Sequence, residues 1–279
     1  MADQGLVDAI AHGIVVFDGA MGTTLQRMQL AGELTVKDFE GRQGCNEILS
    51  LTRPDVVAGV HRSYLEVGCD VVETNTFGGS RPKLEEFDLG ARVAEVNEQA
   101  ARIARAEADR AQRSDGRRRY VAGSLGPSGF LPSSSDPDLG RVRPAQLMEI
   151  FREQAVPLLR GGVDCLIAET AQDLLELRSQ IFGARRAMEE VGRGVPVIAQ
   201  ITLDPSGRML LGTEPLSAAV MISACGADVM GLNCSTGPRE MVDPLRALAE
   251  HVPLPLSCQP NAGIPENREG VAVYPLQPD

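Results

Sequence analysis

Polar residues that could carry chemistry stand directly after several apolar runs of the sequence. Asp18 and Gly19 follow "IVVF", the run Glu73-Thr74-Asn75-Thr76 follows "DVV", and Glu169 follows "CLIA". Asn233 and Cys234 follow "VMGL" and precede a loop of Ser, Thr, Gly and Pro. Carboxylates bind ammonium groups, and exposed loop N–H groups bind carboxylates. If these runs are strands whose carboxyl ends meet, the pattern predicts a site for an amino acid.

Two further runs end in the same way. Gln200 and Thr202 end "VPVIAQIT", and "LPLSCQPNAG" contains Cys258, Gln259 and Asn261. Asp and Asn at strand ends more often form turns than bind ligands. The prediction of a site therefore depends on several such residues converging on one rim, and no single position carries it.

A recurring unit predicts how these residues are positioned. The unit is an amphipathic helix, then Gly-x-Asp, then an apolar run, then small polar residues, and it occurs at 64–79, 158–173 and 222–237. Glycine favours the left-handed residue that ends a helix, and the run suits a strand buried on both faces of a parallel sheet. Strands are predicted within 14–22, 64–79, 118–127, 158–173, 195–204, 222–237 and 252–263, and helices over 55–67, 93–112, 145–161, 173–192, 215–226 and 239–252.

Alternating strands and helices predict the fold class. The order favours an α/β parallel (β/α)8 TIM-type barrel, with seven of its eight strands visible. We expect one domain over residues 1–279 whose C-terminal unit is missing, because no eighth apolar run follows Gly263. A doubly wound sheet is the competing fold, but "DGAMGT" has the wrong spacing for its Gly-rich phosphate turn.

Composition narrows the possible partners. The chain has 38 acidic and 27 basic residues and a net charge of −11, which disfavours nucleic acid and anionic membranes. It has neither a basic, apolar leader nor a long apolar span, so a cytoplasmic protein is expected. Six cysteines without a C-x-x-C pair are expected to be reduced. His61 is expected to be an ordinary helix residue.

Several long motifs resemble one enzyme family. "FDGAMGTTLQ", "GCNEILSLTRPDVVAGVHRSYLEVGCDVVETNTFGG", "AETAQDLLELRSQIFGARRAM", "GLNCSTGP" and "PNAG" are similar to the homocysteine S-methyltransferase domain, in particular to the homocysteine-binding module of cobalamin-dependent methionine synthases. The resemblance covers residues 10–275. It implies a (β/α)8 barrel that binds L-homocysteine, activates its thiol on a zinc ion held by three cysteine thiolates, and forms methionine. Zinc can deprotonate a bound thiol at neutral pH.

The resemblance also implies roles for individual residues and partners. Methylcobalamin is the expected methyl donor, carried indirectly by cobalamin- and folate-binding modules of the same or another chain. Glu169 is the expected partner of the substrate ammonium, and with Cys234 it is the expected catalytic pair. The implied zinc ligands are Cys234 and Asn261, and the implied substrate-binding residues are Asp18, Gly19, Ala20, Asn75, Thr76, Glu169 and Asn233.

The zinc motif is where the sequence departs from the family. The other two thiolates of the family come from adjacent cysteines after strand eight, and these 279 residues contain no Cys-Cys pair. Cys258 is expected to be a packing residue and not a replacement. Because zinc sites need three or more protein ligands, this chain is expected to be incomplete for zinc.

Two other functions stay open. One is a non-catalytic amino-acid-binding or assembly module that has lost its metal. The other is a barrel enzyme for phosphorylated substrates, which "QPNAGIPENREG" matches poorly because it lacks a Gly-rich phosphate loop.

Overall fold

A six-stranded parallel sheet forms the centre of the molecule. The structure is a computed structural model that describes residues 5–264, 266–268 and 271–276. The sheet has the order β1-β2-β3-β4-β5-β6, so neighbouring strands are also consecutive in sequence. A doubly wound sheet reverses its strand order at a switch point, whereas this half-barrel order does not. The strands are β1 Val71–Glu73, β2 Tyr120–Leu125, β3 Cys165–Ala171, β4 Val197–Ile201, β5 Val229–Asn233 and β6 Leu256–Gln259.

Helices connect the strands and cover the outer face of the sheet. The six helices predicted from the sequence are α4 and α6 to α10, whose ends lie within three residues of those predicted. In the described residues no helix is long and apolar enough to cross a membrane. The helices are α1 Gly5–His12, α2 Met21–Leu30, α3 Leu49–Thr52, α4 Pro54–Glu66, α5 Arg81–Glu85, α6 Val93–Asp115, α7 Pro144–Arg160, α8 Leu174–Val191, α9 Pro215–Ala224 and α10 Pro238–His251.

The predicted first strand is wrong over most of its length. Only Phe17 forms a bridge, to Val71 of β1, and the Asp18 N–H donates to the Val71 carbonyl at 2.9 Å. The chain is helical from Met21 to Leu30. The six strands therefore carry this short extended segment at one edge, and the predicted seven-strand sheet is not present in the described residues.

A wide gap separates that extended segment from β6. Residues 13–18 and 255–260 line the two sides of a cavity of about 860 Å³, which we call the open seam. Ile14 is 93% exposed and Val16 51% exposed. The described residues thus form an open half-barrel. Beyond β6 the chain forms a separate antiparallel pair, β7 Glu266–Arg268 and β8 Val271–Val273, which the sequence did not predict.

The interior of the sheet changes from apolar to polar along the strands. Near the amino ends, Val71, Ala122, Ile167 and Val229 form a buried interior cluster that includes Leu6 of α1. Side chains two residues apart share one face of a strand. The same face therefore carries the following polar residues near the carboxyl ends: Glu73, Ser124, Glu169, Gln200 and Asn233.

Candidate functional site

The carboxyl ends of the strands surround a cavity of about 350 Å³, which we call the mouth cavity. All nine residues to which the family resemblance gives a substrate- or metal-binding role lie on its wall. It is lined by Asp18, Gly19, Ala20, Met21, Gly22, Asn46, Glu47, Glu73, Thr74, Asn75, Thr76, Phe77, Ser124, Glu169, Asn233, Cys234, Gln259, Pro260 and Asn261. No lysine, arginine or histidine occurs among these lining residues, so the described wall is a poor site for a phosphate and a good one for a cation.

Glu169 ends the polar interior face of β3. Its Oε1 accepts a hydrogen bond from the Ser124 hydroxyl at 2.5 Å, and its Oε2 accepts one from the Asn233 amide at 3.2 Å. Burial, and next the charge of Glu73, raise the pKa of Glu169 well above its usual range. A cationic ligand would lower the cost of ionising this carboxyl group.

Asp18 also lines the mouth cavity. Both of its carboxylate oxygens accept from the backbone N–H of Glu73, at 3.2 and 3.1 Å. Burial, and next the charge of Glu73, raise the pKa of Asp18 well above its usual value. Asp18 therefore ties the first extended segment to β1 and adds a second carboxyl group to the cavity.

The N-terminus of α2 provides positive potential in the mouth cavity, opposite in sign to that of the carboxyl groups. Ala20 is its N-cap, and no side chain caps the first turn. The N-terminal turn of a helix carries partial positive charge and N–H donors, which suit a carboxylate. A Cβ on Gly19 would lie 2.8 Å from the Tyr64 hydroxyl oxygen, so glycine is needed for the chain to approach this closely.

Cys234 follows β5 in a strained turn. Cys234 and Ser235 have φ angles of 59° and 63°, in the left-handed region that residues other than glycine rarely adopt. The turn is held because the Cys234 N–H donates to the Gln259 carbonyl at 3.0 Å and the Thr236 N–H donates to the Cys234 carbonyl at 2.7 Å. Such strain persists where surrounding structure enforces it, commonly at functional sites.

The Cys234 thiol faces polar neighbours in the mouth cavity. Its Sγ lies 3.6 Å from the Thr170 hydroxyl and 3.5 Å from the Asn233 amide nitrogen. Burial raises the pKa of Cys234, and the charges of Glu169 and Glu73 raise it further. The pocket alone therefore keeps this thiol protonated, and a thiolate here needs a cation beside it.

Asn75 and Thr76 line the cavity but have structural partners. The Asn75 amide donates to the Asn46 carbonyl at 2.8 Å and to the Ser50 hydroxyl at 3.3 Å. The Thr76 hydroxyl donates to the Ser124 carbonyl at 2.9 Å. These contacts fix the loop before α3 against the end of β1. The Asn75 side chain then offers its carbonyl oxygen as an acceptor for a ligand.

Two lining residues, Glu47 and Ser124, were missed as site candidates, whereas Glu73 and Gln259 were noted only as strand-end residues without a role. The Gln259 amide donates to Glu73 Oε1 at 2.7 Å across the mouth, and Glu47 Oε1 accepts from the Gly78 N–H at 2.7 Å. Ser124 is the donor to Glu169 described above. The two-residue alternation along β1 and β2 was a signal for Glu73 and Ser124, whereas no pattern in the sequence indicated Glu47.

The other cysteines lie away from the mouth cavity. Cys45, Cys69 and Cys165 are buried, and Cys225 is partly buried. Cys258 is exposed, with its Sγ 3.7 Å from the Met241 sulfur, so its predicted packing role is only partly met. His61 is buried in α4, where burial lowers its pKa to about 4.

A zinc ion does not fit the described residues on their own. Among residues 5–264 and the short described segments after them, no group of three His, Cys, Asp or Glu side chains could hold a metal. Cys234 is the single thiol on the described wall of the mouth cavity, with Asn261 near it on the same wall. A zinc site needs at least three protein ligands.

Comparisons with known proteins give matches over nearly the whole chain. A model of the homocysteine S-methyltransferase family matches residues 15–279. The chain is 44% identical over 277 residues to the methionine synthase of Mycobacterium tuberculosis, covering 99% of this chain and 22% of that protein. It is 43% identical over 277 residues to the methionine synthase of Mycobacterium leprae, with the same coverage of both chains. The chain thus spans about a fifth of the length of these relatives.

Solved structures show a similar fold. The metallated form of the homocysteine methyltransferase MmuM from Escherichia coli superposes with a TM-score of 0.74 at 19% identity, over 93% of this chain and 87% of that chain. Its oxidised form gives 0.72 at 19% identity, over 89% and 82%. At this identity the likeness concerns the fold alone.

Proposed function

The chain belongs to the homocysteine S-methyltransferase family, and we propose on that basis that it binds L-homocysteine in the mouth cavity for methyl transfer to methionine. The observation that carries this proposal is that carboxyl groups, backbone N–H donors and a thiol all lie on one cavity wall. Glu169 and Asp18 offer carboxyl groups, α2 offers N–H donors, and Cys234 offers a thiol. These match the ammonium, the carboxylate and the sulfur of one small amino acid.

Each charged part of the ligand would bind to groups of opposite charge on the cavity wall. Glu169, held by Ser124 and Asn233, binds the ammonium, and Asp18 adds negative potential nearby. The first turn of α2, with Gly19 and Ala20 before it, binds the carboxylate. The ligand sulfur, which is the reacting atom, then lies on the Cys234 side of the cavity and faces its open mouth. Asn75, Thr76 and Asn233 shape the wall.

Zinc binding and methyl transfer would both require groups that the described residues do not supply. Cys234, with Asn261 nearby, would supply one ligand to a zinc ion, and the further thiolates would come from outside these 279 residues. Zinc bound there would supply the means to hold the substrate sulfur as a thiolate. Methylcobalamin on another module is the proposed methyl donor, and cobalamin- and folate-binding modules are the proposed partners.

The family membership also supports a proposal about the domain and its barrel. We propose that residues 1–279 form one homocysteine-binding domain. In a complete eight-stranded barrel the extended segment at Phe17 would be one strand, the six strands of the sheet would follow, and an additional strand would lie in the open seam. The seam has the required position, because it lies between the first extended segment and β6. A cytoplasmic location stays a prediction.

A calorimetric titration of the 279-residue chain with L-homocysteine tests the function. We expect one site per chain. The analogue 4-mercaptobutyrate lacks only the ammonium, so it should bind about 10- to 100-fold more weakly, as expected for a lost charge-assisted hydrogen bond. Equal binding of the two ligands, or no binding of L-homocysteine, would contradict the proposal.

A metal-free amino-acid-binding module is the second candidate function. It is favoured by the single thiol on the described wall of the cavity. Zinc content after dialysis, measured by atomic absorption, and methionine formation with free methylcobalamin separate the candidates. Because the described wall provides a single thiol, the chain alone should retain less than one zinc ion per molecule and form little methionine under either candidate. One zinc ion per molecule together with methionine formation would exclude the metal-free module.

The matched variants for that test are Cys234→Ser and Cys258→Ser. Both cysteines lie near the carboxyl ends of neighbouring strands, but Cys258 is not on the wall of the mouth cavity. Residual zinc should fall in Cys234→Ser and stay unchanged in Cys258→Ser. One tightly bound zinc ion per chain, unaffected by Cys234→Ser, would show that the metal binds elsewhere.

A further inference from the structure

The Gly-x-Asp motifs of the recurring unit lie outside the mouth cavity, at the amino ends of three strands. Each motif follows a helix, and its glycine has a left-handed φ angle between 76° and 102°. Each aspartate directly precedes a strand. The motifs are Gly68-Cys69-Asp70 before β1, Gly162-Val163-Asp164 before β3 and Gly226-Ala227-Asp228 before β5. The same residue at the same place in three alternate strands indicates a shared role.

Each aspartate makes the same two hydrogen bonds to the extended chain beside it, which we call the aspartate clamp. The Asp164 N–H donates to the Val121 carbonyl at 2.7 Å, and the Asp164 carboxylate accepts from the Val121 N–H at 2.8 Å. Asp228 makes both bonds to Val197, each at 2.8 Å. Because one residue is held by both its N–H and its carbonyl, the clamp fixes which residues of the two chains lie opposite each other.

Asp70 makes its clamp to the first extended segment, residues 14–18. The Asp70 N–H donates to the Val16 carbonyl at 2.7 Å, and Asp70 Oδ2 accepts from the Val16 N–H at 3.0 Å. The Arg117 guanidinium donates to Asp70 Oδ1 at 2.7 Å, but the arginine is 55% exposed, so this ion pair contributes little stability. Asp70 therefore acts on the segment mainly through the backbone of Val16.

The first extended segment depends on its clamp more than β2 and β4 depend on theirs. Strand β2 lies between β1 and β3, and β4 lies between β3 and β5, so each is hydrogen-bonded on both sides. Among the described residues, the first extended segment has β1 on one side and the open seam on the other. Loss of the Asp70 clamp therefore leaves no second neighbouring strand to keep the register of this segment.

The register set at Val16 determines the geometry of the mouth cavity a few residues later. Asp18 accepts from the Glu73 N–H, and residues 19–20 lead directly into α2. Side chains alternate along an extended chain, so a slip of one residue would turn Phe17 out of the interior cluster and move Asp18 away from the Glu73 N–H. The first turn of α2 would shift with them.

We propose that Asp70 is a positioning residue for the mouth cavity: from the amino end of β1 it fixes the register of the first extended segment, and thereby the place of Asp18 and of the first turn of α2. The part of this inference that concerns a ligand rests on the proposed function, in which the first turn of α2 binds the carboxylate. The clamp itself depends on no ligand, and Asp70 does not touch one.

Hydrogen exchange followed by NMR tests the clamp in the ligand-free chain. The Val16 N–H should exchange about 10-fold or more slowly than that of Ile14, a residue that is 93% exposed. Asp70→Ala should remove this protection, whereas Asp70→Asn keeps an oxygen acceptor and should retain most of it. The matched control is Asp228→Ala, which removes the clamp on β4 and should leave Val16 unchanged.

Two results would overturn the clamp. One is a Val16 N–H that exchanges as fast as the Ile14 N–H in the unaltered chain, and the other is full protection of Val16 in Asp70→Ala. The first measurement needs no variant, so it decides even if Asp70→Ala does not fold.

Ligand affinity tests the positioning role. Asp70→Ala should bind L-homocysteine about 10-fold or more weakly, whereas Asp70→Asn and Asp228→Ala should stay within about 3-fold of the unaltered chain. The analogue 3-aminopropane-1-thiol lacks only the carboxylate, so Asp70→Ala should weaken its binding less. Equal weakening of both ligands, as from a general loss of stability, or no weakening of either, would overturn the positioning role. Should the unaltered chain not bind L-homocysteine, the proposed function fails and the exchange result still decides the clamp.

Discussion

Glu169 and Cys234 show how far single residues could be interpreted from sequence. Both were predicted from their positions after apolar runs, and both lie on the mouth cavity. The sequence could not show that Ser124 and Asn233 hold Glu169, because these contacts span 45 and 64 positions. For the same reason Glu73 was seen as a strand-end residue but not as the acceptor of the Gln259 amide, 186 positions away.

The role of Glu169 leads to a residue-scale prediction. Glu169→Gln removes the negative charge while keeping the size of the side chain, so the affinity for L-homocysteine should fall about 10- to 100-fold. The affinity for 4-mercaptobutyrate, which has no ammonium, should change little. Calorimetry of the variant and the unaltered chain with each ligand gives the two affinity ratios.

Glu176→Gln is the control for that experiment, since Glu176 is buried but lies outside the mouth cavity. It should change neither affinity at pH 7. Should Glu169→Gln weaken both ligands equally, the residue would be supporting the cavity wall and not the ammonium.

At the scale of elements, helices were easier to predict than short strands. Long amphipathic helices such as α6 and α8 bury one face, and their sequence period shows it. The segment 14–22 is apolar like a strand, yet it makes only one bridge before α2 begins. Helix α2 was missed because "MGTTLQRMQL" has poor helix formers at its start and buries only Leu25.

The loop between β2 and α7 depends on two acidic residues at the start of α8. Asp173 caps the helix, accepting from the Leu175 N–H at 2.7 Å, and also accepts from the Ser133 N–H at 2.7 Å. Glu176 Oε1 accepts from the N–H and the hydroxyl of Ser128, at 2.7 and 2.5 Å. Hydrogen bonds from these two acidic side chains therefore attach the loop to the start of α8.

Glu176 makes this attachment sensitive to pH. Burial raises its pKa from the usual 4.5 to about 7. Between these values the folded chain holds a proton that the unfolded chain releases, so the free energy of unfolding should fall as pH rises from about 4.5 to about 7 and then level off. The full effect is about 3 kcal/mol, at about 1.4 kcal/mol per pKa unit.

Urea unfolding of Glu176→Gln across that pH range measures this contribution. The glutamine carbonyl can accept the Ser128 hydrogen bonds without a charge, so the variant should lose that part of the decline and be more stable than the unaltered chain above pH 7. Parallel curves for the two proteins would contradict the assigned role of Glu176.

At the scale of the whole molecule, the alternation of helices and strands predicted a parallel sheet, and the six strands in consecutive order confirm that class. The eight-stranded barrel stays a proposal, since the described residues form a half-barrel with an open seam. Strand number was harder to predict than strand order, because an edge segment becomes a strand only when a neighbour supplies its hydrogen bonds.

The central claim is that one amino acid spans the mouth cavity between Glu169, the start of α2 and Cys234. A crystal structure of the 279-residue chain with L-homocysteine tests it most directly. The account predicts the ligand ammonium within hydrogen-bonding distance of Glu169, its carboxylate at the N–H groups of the first turn of α2, and its sulfur on the side of Cys234. A ligand bound outside this cavity, or reversed so that its carboxylate faces Glu169, would contradict the account.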